Sequence, residues 1–218
     1  MLLPLLLPFL LLLLPLLLRQ KHTLRRDWAG GEGVLYLRDV LPAAEFESVR
    51  AVCSALDVRL APDEESYARG LESVELGEVE RAMLGGALDA CAAAVERATR
   101  RGVNPEGVRP NWGPPAPPEY RRYTLGARMP KHRDMLVFGE RDPPQLECLL
   151  TLSNTSDSVT LFWRGGSARP VAVRTEPNSV LVVRAEGAEH EVTRVGRGER
   201  TILKFACRIA PIPRAVNL

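Results

Sequence analysis

From Tyr120 to Ile209 the chain reads as a succession of short β-rich runs cut by turn residues, and that spacing leaves few folds open. The runs are Tyr120–Thr124, Gln145–Leu152, Val159–Trp163, Val171–Arg174, Ser179–Arg184, His190–Val195 and Thr201–Ile209. Between them stand Asp142-Pro-Pro, Ser153-Asn154, Gly165-Gly166, Glu176-Pro-Asn and Gly196-Arg-Gly198. Valine, isoleucine, threonine and aromatics suit a pleated, half-buried surface, and glycine, proline and asparagine supply the turns. Strands this short and this many, with no internal repeat, predict a sheet that closes on itself as a jelly roll or similar barrel.

The preceding region has a different period. Val34–Leu37 is one apolar run with strand character. Leu41-Pro42 opens a helix, because proline at an early helical position gives up no hydrogen bond. Phe46, Val49, Val52, Cys53 and Leu56 follow at helical spacing. A second helix is predicted from about Glu78 to Arg100, with Val79, Met83, Leu84, Leu88, Cys91 and Val95 as its apolar face and Gly102 as its stop. Trp112 to Pro118 holds four prolines in the five residues after Gly113, so it is neither helix nor central strand. The expected organisation is therefore 34–111 as helical support, 112–119 as a stiff connector and 120–212 as the β core.

Residues 1–18 contain 13 Leu, three Pro and no charge. As a helix this stretch is ~27 Å long, close to the ~30 Å of a bilayer core. Thirteen leucines favour insertion by about 4–8 kcal/mol. The basic residues Arg19, Lys21, Arg25 and Arg26 follow the run and do not precede it, which favours an uncleaved single-pass anchor over a cleaved secretory signal peptide. An endoplasmic reticulum or other endomembrane location is expected, with the side of the membrane open. Residues 19–33 read as a linker. The charge balance of 29 basic against 27 acidic residues is too even to predict a nucleic-acid partner. Cys53, Cys91, Cys148 and Cys207 form no C-x-x-C pair and fall on apolar positions, so buried thiols are expected.

The β region contains only two histidines, His132 and His190. His132-Arg133-Asp134 is an H-x-D step, and on an extended strand residues i and i+2 point to the same side. Imidazole and carboxylate can then meet one metal while Arg133 points away, and His190 completes the set. Two histidines and one carboxylate on one face leave positions open for substrate and oxygen, as non-haem iron(II) chemistry requires. H-x-D alone recurs by chance, so the neighbouring residues matter. Arg200 lies ten residues after His190 at the start of an apolar strand, where a planar guanidinium would hold a carboxylate. Lys204 is the competing cation. Tyr123 could offer a phenol, or be a core tyrosine with its hydroxyl at the rim.

Tyr123-x-x-Gly126-x-x-x-x-x-His132-x-Asp134 resembles a block of the prolyl 4-hydroxylase-like iron(II)- and 2-oxoglutarate-dependent oxygenases. Leu149-Leu-Thr151-Leu-Ser153 resembles that family's next strand, Thr160-Leu-Phe162 its T-x-F step, and Pro177-Asn-Ser-Val180 through His190 to Arg200 its closing stretch. The resemblance spans about Tyr120 to Cys207. It implies a mainly β fold with supporting helices, a double-stranded β-helix (jelly-roll) oxygenase core. It further implies that His132, Asp134 and His190 hold Fe(II), that Arg200 binds the distal carboxylate of 2-oxoglutarate, and that Tyr123 and Thr151 contact that cosubstrate. O2 as co-reactant and ascorbate as reductant come with it, as does a peptide or protein substrate hydroxylated at a C–H bond, most often of a proline, with release of succinate and CO2. Met129, Ser179 and Asp157-Ser158 depart from the family pattern, at positions that bear on substrate rather than on metal. Three other readings stay open at this point: the same chemistry on a non-prolyl substrate, a cupin-like metalloprotein without 2-oxoglutarate, and a tethered interaction protein with an inactive barrel.

Overall fold

A computed structural model describes residues 33–64, 68–99, 108–110, 116–136, 145–163, 165 and 167–209. The expected anchor or signal peptide, most of the linker, Gly102, Trp112–Pro115 and Asp142-Pro-Pro lie outside the described residues. No helix among the described residues is long and apolar enough to cross a membrane.

The elements follow in the order β1 (Val34–Arg38), α1 (Ala43–Ser54), β2 (Ala61–Pro62), β3 (Arg69–Glu75), α2 (Glu78–Thr99), β4 (Val108–Pro110), β5 (Glu119–His132), β6 (Gln145–Asn154), β7 (Thr160–Trp163), β8 (Val171–Val173), β9 (Ser179–Arg184), β10 (Glu189–Val192) and β11 (Arg200–Ile209). All pairings are antiparallel, and the main order is β1-β9-β6-β11-β5-β10-β7-β8. β3 lies on the other edge of β5's first half, with β2 beyond it. The sheet therefore curls, and β5 belongs to both of its walls. Its first half pairs with β11 from Glu119 to Tyr123, and its end pairs with β10 at Met129 and His132. Gly126, at φ 89°, stands where the strand turns from one wall to the other. That backbone region is open to glycine at no steric cost. The result is the antiparallel jelly-roll core expected from the spacing of the β-rich runs.

Strand alternation divides the major wall into two faces. Leu146, Cys148, Leu150, Val182, Leu203 and Phe205 face α1 and α2 and make the largest core cluster. The alternate residues face the barrel interior, where Tyr123, Ala127, Val192 and Ile202 form one cluster and Phe162, Leu181 and Val183 another. Asn178 ties the helical layer to the barrel: its side-chain oxygen accepts from Leu41 N–H at 3.0 Å and its amide donates to Leu41 C=O at 2.8 Å.

Four details differ from the sequence expectation. β5 runs to His132, eight residues beyond Thr124, because glycine at the bend lets the strand continue into the second wall. The region expected as helical support also contributes β1 to β4, of which only β1 was anticipated. Arg69–Glu75 alternates too weakly to be read as a strand, and pairing with β5 decides it. On α2, Val79 and Met83 are 71% and 64% exposed. The buried stripe runs Leu84, Leu88, Cys91, Val95, and Val79 with Met83 lie on a neighbouring line of the helix surface that does not meet the sheet. The four cysteines are free and buried, two on helices and two on strands.

Candidate metal centre and anion pocket

His132 ends β5 and His190 lies directly across from it on β10. Asp134 stands two residues past the strand end, in irregular backbone rather than in the extended strand that the H-x-D step predicts. Its position is fixed by other contacts. The Asp134 carbonyl accepts from Glu186 N–H at 2.8 Å, and Arg133 turns outward to donate to the Gly187 carbonyl at 2.8 Å. The turn before β10 thus clamps both residues, and the side chains of His132 and Asp134 still fall on the same side.

Both imidazoles have a set orientation. His132 Nδ1 lies 2.8 Å from the Pro130 carbonyl and His190 Nδ1 3.2 Å from that of Ala188. A carbonyl oxygen only accepts, so these contacts place the proton on Nδ1 and leave each Nε2 as a lone-pair donor. The two Nε2 atoms lie 3.4 and 3.6 Å from the same Asp134 oxygen, Oδ1. The rings are 4.3 Å apart between centroids, and Phe162 packs 5.7 Å from His190. The other carboxylate oxygen, Oδ2, is buried with no hydrogen-bond partner. Three electron-pair donors converge within 4.8 Å of one another. Only a proton or a cation can satisfy all of them, and two imidazoles with one carboxylate suit a divalent transition metal such as iron(II).

The electrostatics agree. Burial pulls the His132 imidazolium down, but its hydrogen bond with Asp134 and the Pro130 carbonyl hold it above the usual imidazole value. Burial pushes the Asp134 carboxyl up, and contact with His132 and the charge of His190 more than reverse that. Asp134 and His132 thus each favour the charged form of the other.

Deeper in the barrel Arg200 is 2% exposed. It sits opposite Tyr123 on β5, with its guanidinium 5.7 Å from the Tyr123 ring centroid. Nη1 donates to Thr160 Oγ1 at 3.3 Å, and Nε has no partner. Among the described residues no carboxylate pairs with it. An uncompensated buried charge costs several kcal/mol, so this pocket is built for an anion. Thr151, on β6 and facing the same interior, also has a buried hydroxyl without a partner. Along β7, Thr160 meets Arg200 while Phe162 pairs with His190. Two strand residues separate anion pocket and triad, a rise of ~7 Å, the length scale of a five-carbon diacid.

The structure therefore brings His132, Asp134 and His190 together, and Arg200 with Tyr123. Lys204 is occupied, 3.5 Å from Glu147 and 3.8 Å from Glu119, which leaves Arg200 as the free cation of the two. Thr160 had been read only as part of a strand motif; its role at Arg200 depends on a contact across 40 residues.

No protein-family model and no curated protein sequence matches the chain. Solved structures do. A prolyl 4-hydroxylase from Pseudomonas putida aligns over 87% of this chain and 98% of its own, at 18% identity and TM-score 0.62. A Trichoplax adhaerens prolyl hydroxylase, solved with a hypoxia inducible factor oxygen degradation domain peptide, aligns over 92% and 93%, at 14% and 0.62. HygX from Streptomyces hygroscopicus, solved with nickel and 2-oxoglutarate, aligns over 81% and 83%, at 16% and 0.59. The resemblance drawn from Tyr120 to Cys207 holds at the level of architecture: the chain has the fold of the 2-oxoglutarate- and iron(II)-dependent oxygenases, prolyl hydroxylases among them.

Proposed function

We propose that the protein is an Fe(II)- and 2-oxoglutarate-dependent dioxygenase. The observation that carries this reading is the buried, uncompensated Arg200 that meets Thr160 on the strand whose Phe162 pairs with His190 of the three converging metal-ligand residues. A cupin-like metal site without 2-oxoglutarate has no use for that guanidinium, and an inactive barrel has no use for the intact triad. When bound, the iron would let dioxygen oxidise 2-oxoglutarate to succinate and CO2 while an oxygen atom enters a C–H bond of the substrate.

The chain's own residues do the positioning. His132 and His190 present Nε2, held by Pro130 and Ala188, and Asp134 supplies its carboxylate. Arg200 binds the distal carboxylate of 2-oxoglutarate, with Thr160 orienting the guanidinium and Tyr123 and Thr151 completing the pocket. Phe162 packs beside the His190 ring. Ascorbate as reductant belongs to this reading. A peptidyl proline is the first substrate to try, since the sequence motifs point there and one structural neighbour was solved with a peptide. The epimerase SnoN, at 12% identity, 90% and 86% coverage and TM-score 0.65, carries the same fold with other chemistry in its name. Residues 1–18 would tether the enzyme to an endomembrane, which carbonate extraction of the full chain checks.

The test is succinate release from 2-oxoglutarate by the iron(II)-loaded protein. Turnover is expected, and its loss in His190→Ala together with loss of tight iron binding. Arg200→Ala should raise the 2-oxoglutarate concentration at half-saturation about ten- to hundredfold, the worth of hydrogen bonds to a charged group. It should do so more than Lys204→Met. Full turnover by His190→Ala would refute the assignment.

A further inference from the structure

Beside the triad the barrel mouth carries charged side chains that neither metal nor 2-oxoglutarate uses. Glu119 and Arg121 on β5, Glu147 on β6 and Lys204 on β11 all occupy the interior-facing alternation of their strands, the one that includes Tyr123, Thr151 and Arg200. Arg121, 7% exposed, donates from Nε and Nη2 to the same Glu119 oxygen at 2.7 and 2.6 Å and lies 3.9 Å from Asp63. Lys204 stands between Glu119 and Glu147. The group reaches the triad electrostatically: the charge of Lys204 helps keep Asp134 ionised, and Glu147 is felt at His132.

Asp63, Glu119 and Glu147 against Arg121 and Lys204 give this cluster one carboxylate in excess. The inner site balances: iron(II) and Arg200 bring three positive charges, Asp134 and the two carboxylates of 2-oxoglutarate three negative ones. A substrate that reaches this cluster therefore meets an excess carboxylate. The under-served member is Glu147. Among the described residues its one partner is Lys204 at 3.5 Å, beyond a short hydrogen bond, and its side chain keeps 22% exposure, so it can be reached from outside. Burial, with Asp134 close by, works against its ionised form, and Lys204 offsets only part of this.

We propose that Glu147 is the specificity-determining residue and that it receives an ammonium group of the substrate, as on a lysine near the carbon that is oxidised. A second cation beside Glu147 would complete the pairing that Lys204 alone leaves loose. This rests on the reading that the triad and Arg200 hold iron and 2-oxoglutarate, so the experiment is a binding measurement that does not need turnover.

Fluorescence anisotropy of the full chain would compare three labelled peptides: a proline flanked by lysines, the same with acetyl-lysines, and the same with alanines. The lysine peptide should bind about tenfold more tightly than either of the others, the scale of one charge-assisted contact. Glu147→Gln, close to isosteric, should bring the three within about twofold. Equal affinities in the unaltered chain would overturn the proposal, and so would a lysine preference that survives Glu147→Gln. If that variant does not fold, Glu147→Ala takes its place, with the same loss of the lysine preference expected and a preference that survives it overturning the proposal. Failure of succinate release with the preference intact would strike the dioxygenase reading and leave Glu147 as an ammonium-binding residue of a barrel with another use.

Discussion

Protons and metal compete for the same three atoms, and the direction of each shift gives a pH signature. Asp134 is held below its ordinary value of 3.8, so its contribution to stability is present above that pH and is lost as pH falls through the lower folded value. His132 is raised above 6.5, so its contribution is present below 6.5 and is lost as pH rises through the higher folded value. Without metal the pair thus stabilises most between about pH 4 and 6.5. Metal binding needs the imidazoles neutral and runs the other way. Calorimetric titration with manganese should show affinity rising about tenfold or more from pH 5.5 to 7.5, with protons released on binding. A flat profile would mean that His132 is not a ligand. The residue scale is also where the sequence was most legible. His132, Asp134 and His190 are identifiable because the β region holds no other histidine, and Arg200 because a charged group at the head of an apolar strand invites a reason. Thr160 and Glu147 were not identifiable. Their partners are 40 and 57 residues away, and nothing local marks a threonine or a glutamate as facing inward.

The site depends on the loop that delivers β11. Gly198 has φ 68°, and a Cβ there would lie 2.5 Å from the Thr155 carbonyl oxygen. Thr155 and Ser156 N–H both donate to the Glu199 carbonyl, at 2.9 and 3.1 Å, and Asp157 accepts from the Gly196 and Arg197 N–H groups. This backbone knot fixes the first residue of β11, which is Arg200. Gly198→Ala would meet both the positive φ and the clash. It should cost about 1–3 kcal/mol in urea unfolding and weaken 2-oxoglutarate binding through Arg200. A stable variant with ordinary binding would show that the loop does not set the pocket. At this scale, Ser179–Arg184 was read with its observed bounds, whereas the run His190–Val195 stops at Val192 in β10. β5 extends past the run that ends at Thr124 because a second wall is there to receive the strand beyond Gly126. β2 and β3 carry no strong alternation and exist through pairing with β5.

Across the whole molecule the residues proposed to hold metal and 2-oxoglutarate come from β5, β6, β7, β10 and β11, so a diacid bound there would touch much of the barrel at once. A ligand held only by the native state stabilises it by about 2.7 kcal/mol at a hundred times its dissociation constant. For a chain of this size that is a rise of roughly 5–10 °C in Tm. Manganese with 2-oxoglutarate should give a shift of that order. Pyruvate, which has the 2-oxo acid end but no distal carboxylate for Arg200, should give little beyond the metal alone. Equal shifts would remove Arg200 from the binding site.

β5 has one more property. It is a single covalent segment that touches Arg200 at Tyr123 and ends on the proposed metal ligand His132. On the proposed function the strand is a ruler, and its graduation at Gly126 would set how long a diacid the barrel accepts. One residue added beside that glycine would recalibrate the gauge, and the chain length of the preferred 2-oxo diacid should change with it.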